Sequence, residues 1–315
     1  MGHANRRVNP QITSHVNRDF KRLLMTQSWK VLRNEDDPWI TDPRGNPHSS
    51  KMIVFAVILK VAFLLSYDST EAEFKAMQET IKEITGYDRV LTHSVIWEGM
   101  QKVPMKYLRR VLRRTIEKTE NKRRTAIDSS GFSQKNSSVW YDIRIQRKNK
   151  RKDCIKLHVL VDVDTGQILS ARISNAYAHD SPKGRVMLVE WTDIDIATGD
   201  GAYANRKMCN ATDAQTYFRP RKDAITRSKG SGKYKIMVRS YKNDEHAFLA
   251  IYHIRSFVES VFASIKKRFG KILLSIKKRI QHKELFLKTV CYNIKEWLYN
   301  LRAQELGISR WKICK

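Results

Sequence analysis

One acidic residue, Glu259, shares a helix side with Tyr252, Arg255 and Lys266. On a wheel of about 100° per residue these four fall within an arc of about 60°. Ile254, Phe257, Val258, Val261 and Ile265 gather elsewhere, at the i, i+3, i+4, i+7 spacing of a core-facing helix. The polar quartet therefore overlooks the rim of a core. Asp128 interrupts a small and apolar run, Ala126-Ile127-Asp128-Ser129-Ser130, where a carboxylate is costly to bury unless it is paired or binds metal. Asp200 ends a later strand between Gly199 and Gly201, which let a ligand or ion approach the backbone. Three carboxylates from two strands and one helix can converge on two Mg²⁺ or Mn²⁺ ions, hard cations that take oxygen ligands. Such a pair, about 4 Å apart, activates a water or 3′-hydroxyl and stabilises the leaving oxygen of an in-line phosphodiester displacement. The plainer alternative is a solvated helix face with an Arg255–Glu259 pair at i, i+4.

Composition favours a substrate that carries phosphate. Over 315 residues the chain has 60 Lys+Arg against 32 Asp+Glu, a net charge of +28. That excess points to a polyanion, either nucleic acid or an anionic membrane. Membrane is the weaker partner, because the longest apolar run, Met52 to Leu65, is 14 residues interrupted by Lys60, short of the ~20 that span a bilayer. The first 20 residues hold Arg6, Arg7, Arg18 and Asp19 with no apolar core of a signal peptide. The expected location is cytoplasmic, in association with chromosomal DNA. Cys154, Cys209, Cys291 and Cys314 lie far apart with no C-x-x-C, so they read as reduced structural thiols.

The elements that must hold the site follow from periodicity. Residues 1–50, polar and broken by Pro38, Pro43, Gly45 and Pro47, read as an arm or loosely packed lead-in. Residues 51–120 read as a smaller all-helical domain with helices at 51–65, 69–84, from a Thr92 or Ser94 cap to Val103, and 106–118. Gly86 between the second and third suggests a helix-turn-helix, although the turn is longer than the usual 3–4 residues, and a plain helical bundle competes. From Thr125 the period becomes two, with strands at 125–130, 139–145 and 155–163, a fourth piece at 167–173, a helix from Ser181 to Glu190, a strand at 192–198, a short helix at 205–210 and a strand at Tyr217-Phe218. That order gives an α/β domain, a mixed sheet flanked by helices, over 121–305, with 306–315 as a tail.

Within it, 219–250 reads as a basic insertion. Arg219 to Lys242 carries nine basic residues against Asp223 alone, so Arg221, Lys222, Lys229 and Lys233 are candidate contacts to the DNA backbone. Asp162 and Asp164 read as turn residues, Asp193 and Asp195 as exposed strand positions, and Asp180 or Ser181 as a helix N-cap. Trp97, Trp140 and Tyr234 are candidates for stacking on an unpaired base.

The strings Ala126-Ile127-Asp128-Ser129-Ser130-Gly131, Thr198-Gly199-Asp200-Gly201-Ala202-Tyr203 and Tyr252-x2-Arg255-x3-Glu259-x6-Lys266 resemble the three catalytic blocks of DDE transposases from prokaryotic insertion sequences. The last string matches the Tyr-Arg-Glu-Lys signature of the insertion sequence 4/5 type at every spacing. The resemblance spans about 125–300, including Tyr292-Asn293 in a terminal helix. It implies an RNase H-like fold, with Asp128, Asp200 and Glu259 as ligands of two divalent metal ions and Tyr252, Arg255 and Lys266 on the DNA backbone near an element end. It also implies double-stranded DNA as partner, as element ends and as target, and a dimer or higher assembly on that DNA. The rivals are an RNase H-like nuclease or resolvase without strand transfer, and a domesticated DNA-binding protein without catalysis.

Overall fold

The computed structural model describes residues 6–40, 48–134, 154–225 and 232–313. The expected strand at 139–145, Trp140, the basic tip at 147–152, Lys229 and Cys314 lie outside the described residues. The chain divides into two compact units, one made of Met1–Arg7, Glu117–Ser264 and Trp311–Lys315, the other of Val8–Ile116 and Ile265–Arg310.

The first unit is built on a mixed sheet. Strands β1 (Arg123–Gln134), β2 (Cys154–Asp162), β3 (Ile168–Asn175), β4 (Ile194–Gly199) and β5 (Gln215–Phe218) lie in the order β3-β2-β1-β4-β5. The pairs β1–β2 and β2–β3 are antiparallel, whereas β1–β4 and β4–β5 are parallel. The parallel partners are reached through the helices Asp180–Val189 and Arg206–Cys209, as a parallel crossover requires.

Both faces of this sheet are covered, which explains why strict alternation fails on β2. His158 and Asp162, polar residues that alternate with the apolar ones of this strand, are buried. Asp162 is paired with Arg123 at 2.6 Å, and its other oxygen accepts the backbone N–H of Asp164 at 2.9 Å. Its turn role holds, with a buried ion pair added. Asp193 also engages Arg123, at 2.9 Å, so it is not a bystander on an exposed strand.

Gly199 closes β4 where the core is tightest. A Cβ there would stand 2.7 Å from Ile127 Cγ2 and 3.0 Å from Tyr203 Cδ2. Forcing a methyl into packed side chains costs about 1–3 kcal/mol, so Gly199→Ala should lower the denaturant midpoint by that amount at unchanged m-value. An unchanged midpoint would mean that Tyr203 and Ile127 repack freely.

The second unit is mostly helical, with one short strand at Ile272–Leu273. Its centre is the helix Ser50–Ala62, in which every apolar side chain from Met52 to Ala62 is buried. The long apolar run is thus a core helix. Around it stand Tyr67–Ala76, Gln78–Thr85, His93–Lys102 and Met105–Arg114. Thr92 caps the third of these by accepting from Val95 N, as expected, and the expected helix at 69–84 is two helices that meet at Met77.

Two expected boundaries are corrected here. The supposed lead-in forms the helices Pro10–Arg18 and Phe20–Arg33, with Ile12, Val16, Phe20 and Leu24 buried. These four recur every fourth residue and make a continuous apolar stripe. The helix Lys278–Leu306, assigned from sequence to the catalytic domain, belongs to the helical unit and is buried along most of its length.

Candidate active site

Backbone register brings the first two carboxylates together. On the parallel pair β1–β4, Ala126 lies opposite Thr198 and Ile127 opposite Gly199. Asp128 and Asp200 follow next on adjacent strands, which run about 4.8 Å apart. Asp200 leaves the sheet at this point and accepts the N–H of Ala202 at 2.9 Å, which caps the short turn Gly201–Tyr203. The oxygen Oδ1 of Asp128 accepts the N–H of Ser129 at 2.7 Å.

The third group arrives from above the strands. The expected single helix through 252–266 is two helices, Glu245–Tyr252 and Phe257–Phe269, joined by a 3-10 turn at His253–Ser256. That turn packs on β1 and β4 and delivers Arg255. Its guanidinium lies 3.4 Å from Asp128 Oδ2 and 3.1 Å from Glu259 Oε1, and 5.8 Å from the centre of the Tyr252 ring. Tyr252, Arg255, Glu259 and Asp128 are therefore one cluster. Lys266 is two turns further along the site helix, half-buried, and in the part of the chain assigned to the helical unit. The stretch Glu245–Phe269 is long and apolar enough by composition to cross a membrane, but here Phe248, Ile254, Val258, Val261 and Ile265 are buried inside the protein.

Electrostatics mark Asp128. Burial raises its carboxyl from 3.8 to about 6, and the charges of Asp200 and Glu259 push it the same way; the Ser129 N–H and Arg255 oppose the shift. Negative charge is thus concentrated at the end of β1 and incompletely offset. Among the described residues no three His, Cys, Asp or Glu side chains stand close enough to share a metal ion. Two carboxylates, Asp128 and Glu259, share the guanidinium of Arg255, and carboxylate oxygens are donors that suit hard divalent ions.

A second network, not singled out from sequence, lies beside the first. Asp180 accepts from Lys156 Nζ at 2.6 Å and from Ser129 Oγ at 3.0 Å, so it anchors the residue that follows Asp128. It is the first residue of the helix Asp180–Val189, not the N-cap, a position held by His179. His158 Nε2 is 2.7 Å from Ser174 Oγ, and burial lowers the imidazole to about 4. It is neutral at pH 7, and its 3.5 Å approach to Asp180 is not an ion pair there. Tyr203 is fully buried under the strand ends, its phenol pushed upward by burial and by the charges of Asp128, Asp180 and Asp200. Lys156 and His158 at i, i+2 on one strand was the available signal.

The basic segment is less loop-like than expected. Its second half is the helix Gly232–Asn243. Arg221 and Lys222 are exposed. Lys233, by contrast, is tied back to Asp213 and to the carbonyl of Thr212, at 2.6 and 2.7 Å. A polar cavity of about 440 Å³ beside the Asp200 turn is lined by Asn205, Arg206, Arg221 and Tyr234. Tyr292 and Asn293 are buried in the helical unit, where Asn293 donates to Thr115 Oγ1 at 3.0 Å. Theirs is a packing role.

Comparison with known proteins bears on the same segment. The family described as Transposase DDE domain matches residues 119–294, more than half of the chain. No curated protein matches. A solved structure, the cryo-EM structure of a piggyBac transposase synaptic complex with hairpin DNA, is similar at a TM-score of 0.45 and 9% identity, over 93% of this chain and 74% of that one.

Proposed function

We propose that this chain, which belongs to the transposase DDE domain family, cuts DNA at the ends of a mobile element and joins the freed 3′-hydroxyl to target DNA. The observation that carries the reading is the register of β1 and β4, which sets Asp128 beside Asp200 under Arg255 and Glu259. The strand order β3-β2-β1-β4-β5, with an antiparallel half and a parallel half, supports an RNase H-like catalytic domain. Asp128, Asp200 and Glu259 would hold two Mg²⁺ or Mn²⁺ ions, which when bound activate the attacking oxygen and stabilise the leaving one.

The chain's own residues supply the rest. Ser129, held by Asp180, orients Asp128 through its N–H. Arg255 compensates the carboxylates in the resting state and is released towards phosphate, with Tyr252, when DNA is present. Arg221, Lys222 and Lys266 neutralise backbone charge, and Lys233 is withdrawn from that group because Asp213 holds it. The helical unit contributes further DNA binding, the insertion sequence 4/5 type is the subgroup, and two or more chains assemble on paired ends. The expected site of action is cytoplasmic chromosomal DNA.

The test uses duplexes taken from either side of the coding region, labelled at the 3′ strand, with a supercoiled plasmid as target. Mg²⁺ should give cleavage at a defined end followed by label in the plasmid. Cleavage without joining would favour a nuclease, and no metal-dependent cleavage on any flanking duplex would favour a non-catalytic binder.

A further inference from the structure

Between the site helix and the helix Lys278–Leu306 the helical unit displays an apolar residue to solvent. Ile276 is 78% exposed, with Trp97 close by at 46%. Exposure of a single isoleucine is ordinary in a floppy loop. This loop is held firmly. Glu284 accepts the N–H groups of Leu274 and Ser275, both at 2.8 Å. Gln281 donates to the carbonyls of Ser275 and Ile276 at 2.9 and 3.3 Å. Lys283 and Arg279 donate to the carbonyl of Gln101 at 2.6 and 2.9 Å, which fastens the start of the long helix to the helix bearing Trp97. Gln281, Lys283 and Glu284 are each at most 3% exposed. Two of these buried polar side chains, Gln281 and Glu284, thus fix the backbone that presents Ile276.

The surroundings are cationic. Lys277, Lys278 and Arg279 are exposed and crowd the start of the long helix, whose first turn has no acidic residue. Cations at that end oppose the helix dipole, so the arrangement is costly until an anion arrives. Lys277 also sits over the Trp97 ring, 5.9 Å from its centre. A cavity of about 230 Å³, lined by Tyr67, Trp97, Leu274, Ile276 and Ile280 among others, opens beside it.

A rigid apolar tip ringed by cations matches a DNA groove, which offers apolar sugar and base edges between two rows of phosphate. We infer that Leu274–Arg279 is a wedge for duplex DNA: Ile276 enters the minor groove and loosens a base step, and Lys277 and Lys278 sit on flanking phosphates. Proteins that bend duplexes insert such side chains between base steps. The inference rests on DNA being the substrate but not on the cleavage chemistry.

The experiment measures binding of the full chain to a short duplex without divalent metal, so that failure of catalysis cannot affect it. Three readouts are followed: affinity against salt, end-to-end energy transfer for bending, and 2-aminopurine fluorescence for unstacking. The double variant Lys277→Ala/Lys278→Ala should reduce the slope of log affinity against log salt by about 2, at 0.9 per phosphate. Ile276→Ala should leave the slope alone, weaken binding roughly tenfold and abolish the bend and the fluorescence gain. Unchanged slope, bend and fluorescence in both variants would overturn the wedge. So would normal duplex binding with lost binding to phosphatidylglycerol vesicles, which would assign the loop to a membrane, or with lost self-association, which would assign it to a second copy. Both substitutions are at exposed positions, and unchanged melting confirms intact folds. A chain that binds through this loop yet never cuts DNA would sink strand transfer alone. One that cuts and joins normally but shows no change of slope or bend in these variants would sink the wedge alone.

Discussion

Asp128→Asn, Asp200→Asn and Glu259→Gln should each lower metal-dependent cleavage by about 10³-fold or more while leaving duplex affinity equal or slightly higher. A metal ion supplies several kcal/mol of charge stabilisation to a phosphodiester displacement, and every 1.36 kcal/mol is a factor of ten in rate. Removing one anionic donor forfeits much of that, and removing negative charge near phosphate does not weaken binding. Asp128→Asn should also stabilise the protein in chelator. The carboxyl of Asp128 is raised from 3.8 to about 6 in the folded protein, so its favourable contribution is complete below about pH 4 and is lost as pH rises through 6. Asparagine is neutral at every pH. At pH 8 the variant should therefore melt a few degrees higher, corresponding to roughly 2 kcal/mol, with the difference closing near pH 4. Full cleavage by any of the three variants removes that residue from the site, and a lower melting point for Asp128→Asn at pH 8 removes the charge-crowding account.

Arg255→Ala should slow cleavage about 10²-fold, the cost of misplacing a reacting group by a small distance. On a solvated helix face Arg255 and Lys266 would behave alike, since exposed ion pairs contribute at most about 1 kcal/mol. The structure separates them. Arg255 is three-quarters buried and bridges Asp128, itself only 20% exposed, to Glu259. Its loss should lower stability by about 1 kcal/mol in chelator, and Mg²⁺ should restore it. Lys266→Ala should weaken DNA binding. Arg255→Lys should not rescue, because an ammonium lacks the planar fork that spans two carboxylates. Lost stability with normal cleavage per folded molecule would make Arg255 structural only.

The carboxylates were legible because each violates its surroundings: Asp128 in an apolar strand and Asp200 between glycines. The strand Cys154–Asp162 was legible because Ile155, Leu157, Val159 and Val161 recur at every second position of its sequence, even though burial on both faces breaks the alternation in the fold. What escaped depends on tertiary context. Ile12, Val16, Phe20 and Leu24 form a helical stripe diluted by polar neighbours, and the prolines after residue 37 drew attention to the loop that follows. Gly232–Asn243 buries only Met237 and Val238, too little apolar pattern to outweigh its cations and the glycines before it. The 3-10 turn at His253–Ser256 advances about 120° per residue, which a wheel drawn at 100° cannot show. Arg255 and Glu259 still meet across four residues, but Tyr252 is displaced from the arc assigned to it. Lys233 looked free because its partner Asp213 is twenty residues away in sequence.

The division of the chain has a consequence for synthesis. The sheet unit is complete once Ser264 has been made, except for its short closing strand Trp311–Ile313, whereas the helical unit begins at Val8 and lacks its longest helix until the ribosome has passed Leu306. The unit started first is therefore finished last. Its early helices must wait with the buried face of Ser50–Ala62 exposed for about 200 residues of translation, some 10–40 s at 5–20 residues per second. Late in this interval, once Ser264 has been made, the nascent chain already has Asp128, Asp200 and Glu259. It lacks Leu274–Arg279 with its fixed backbone, so cutting competence would precede full grip on DNA.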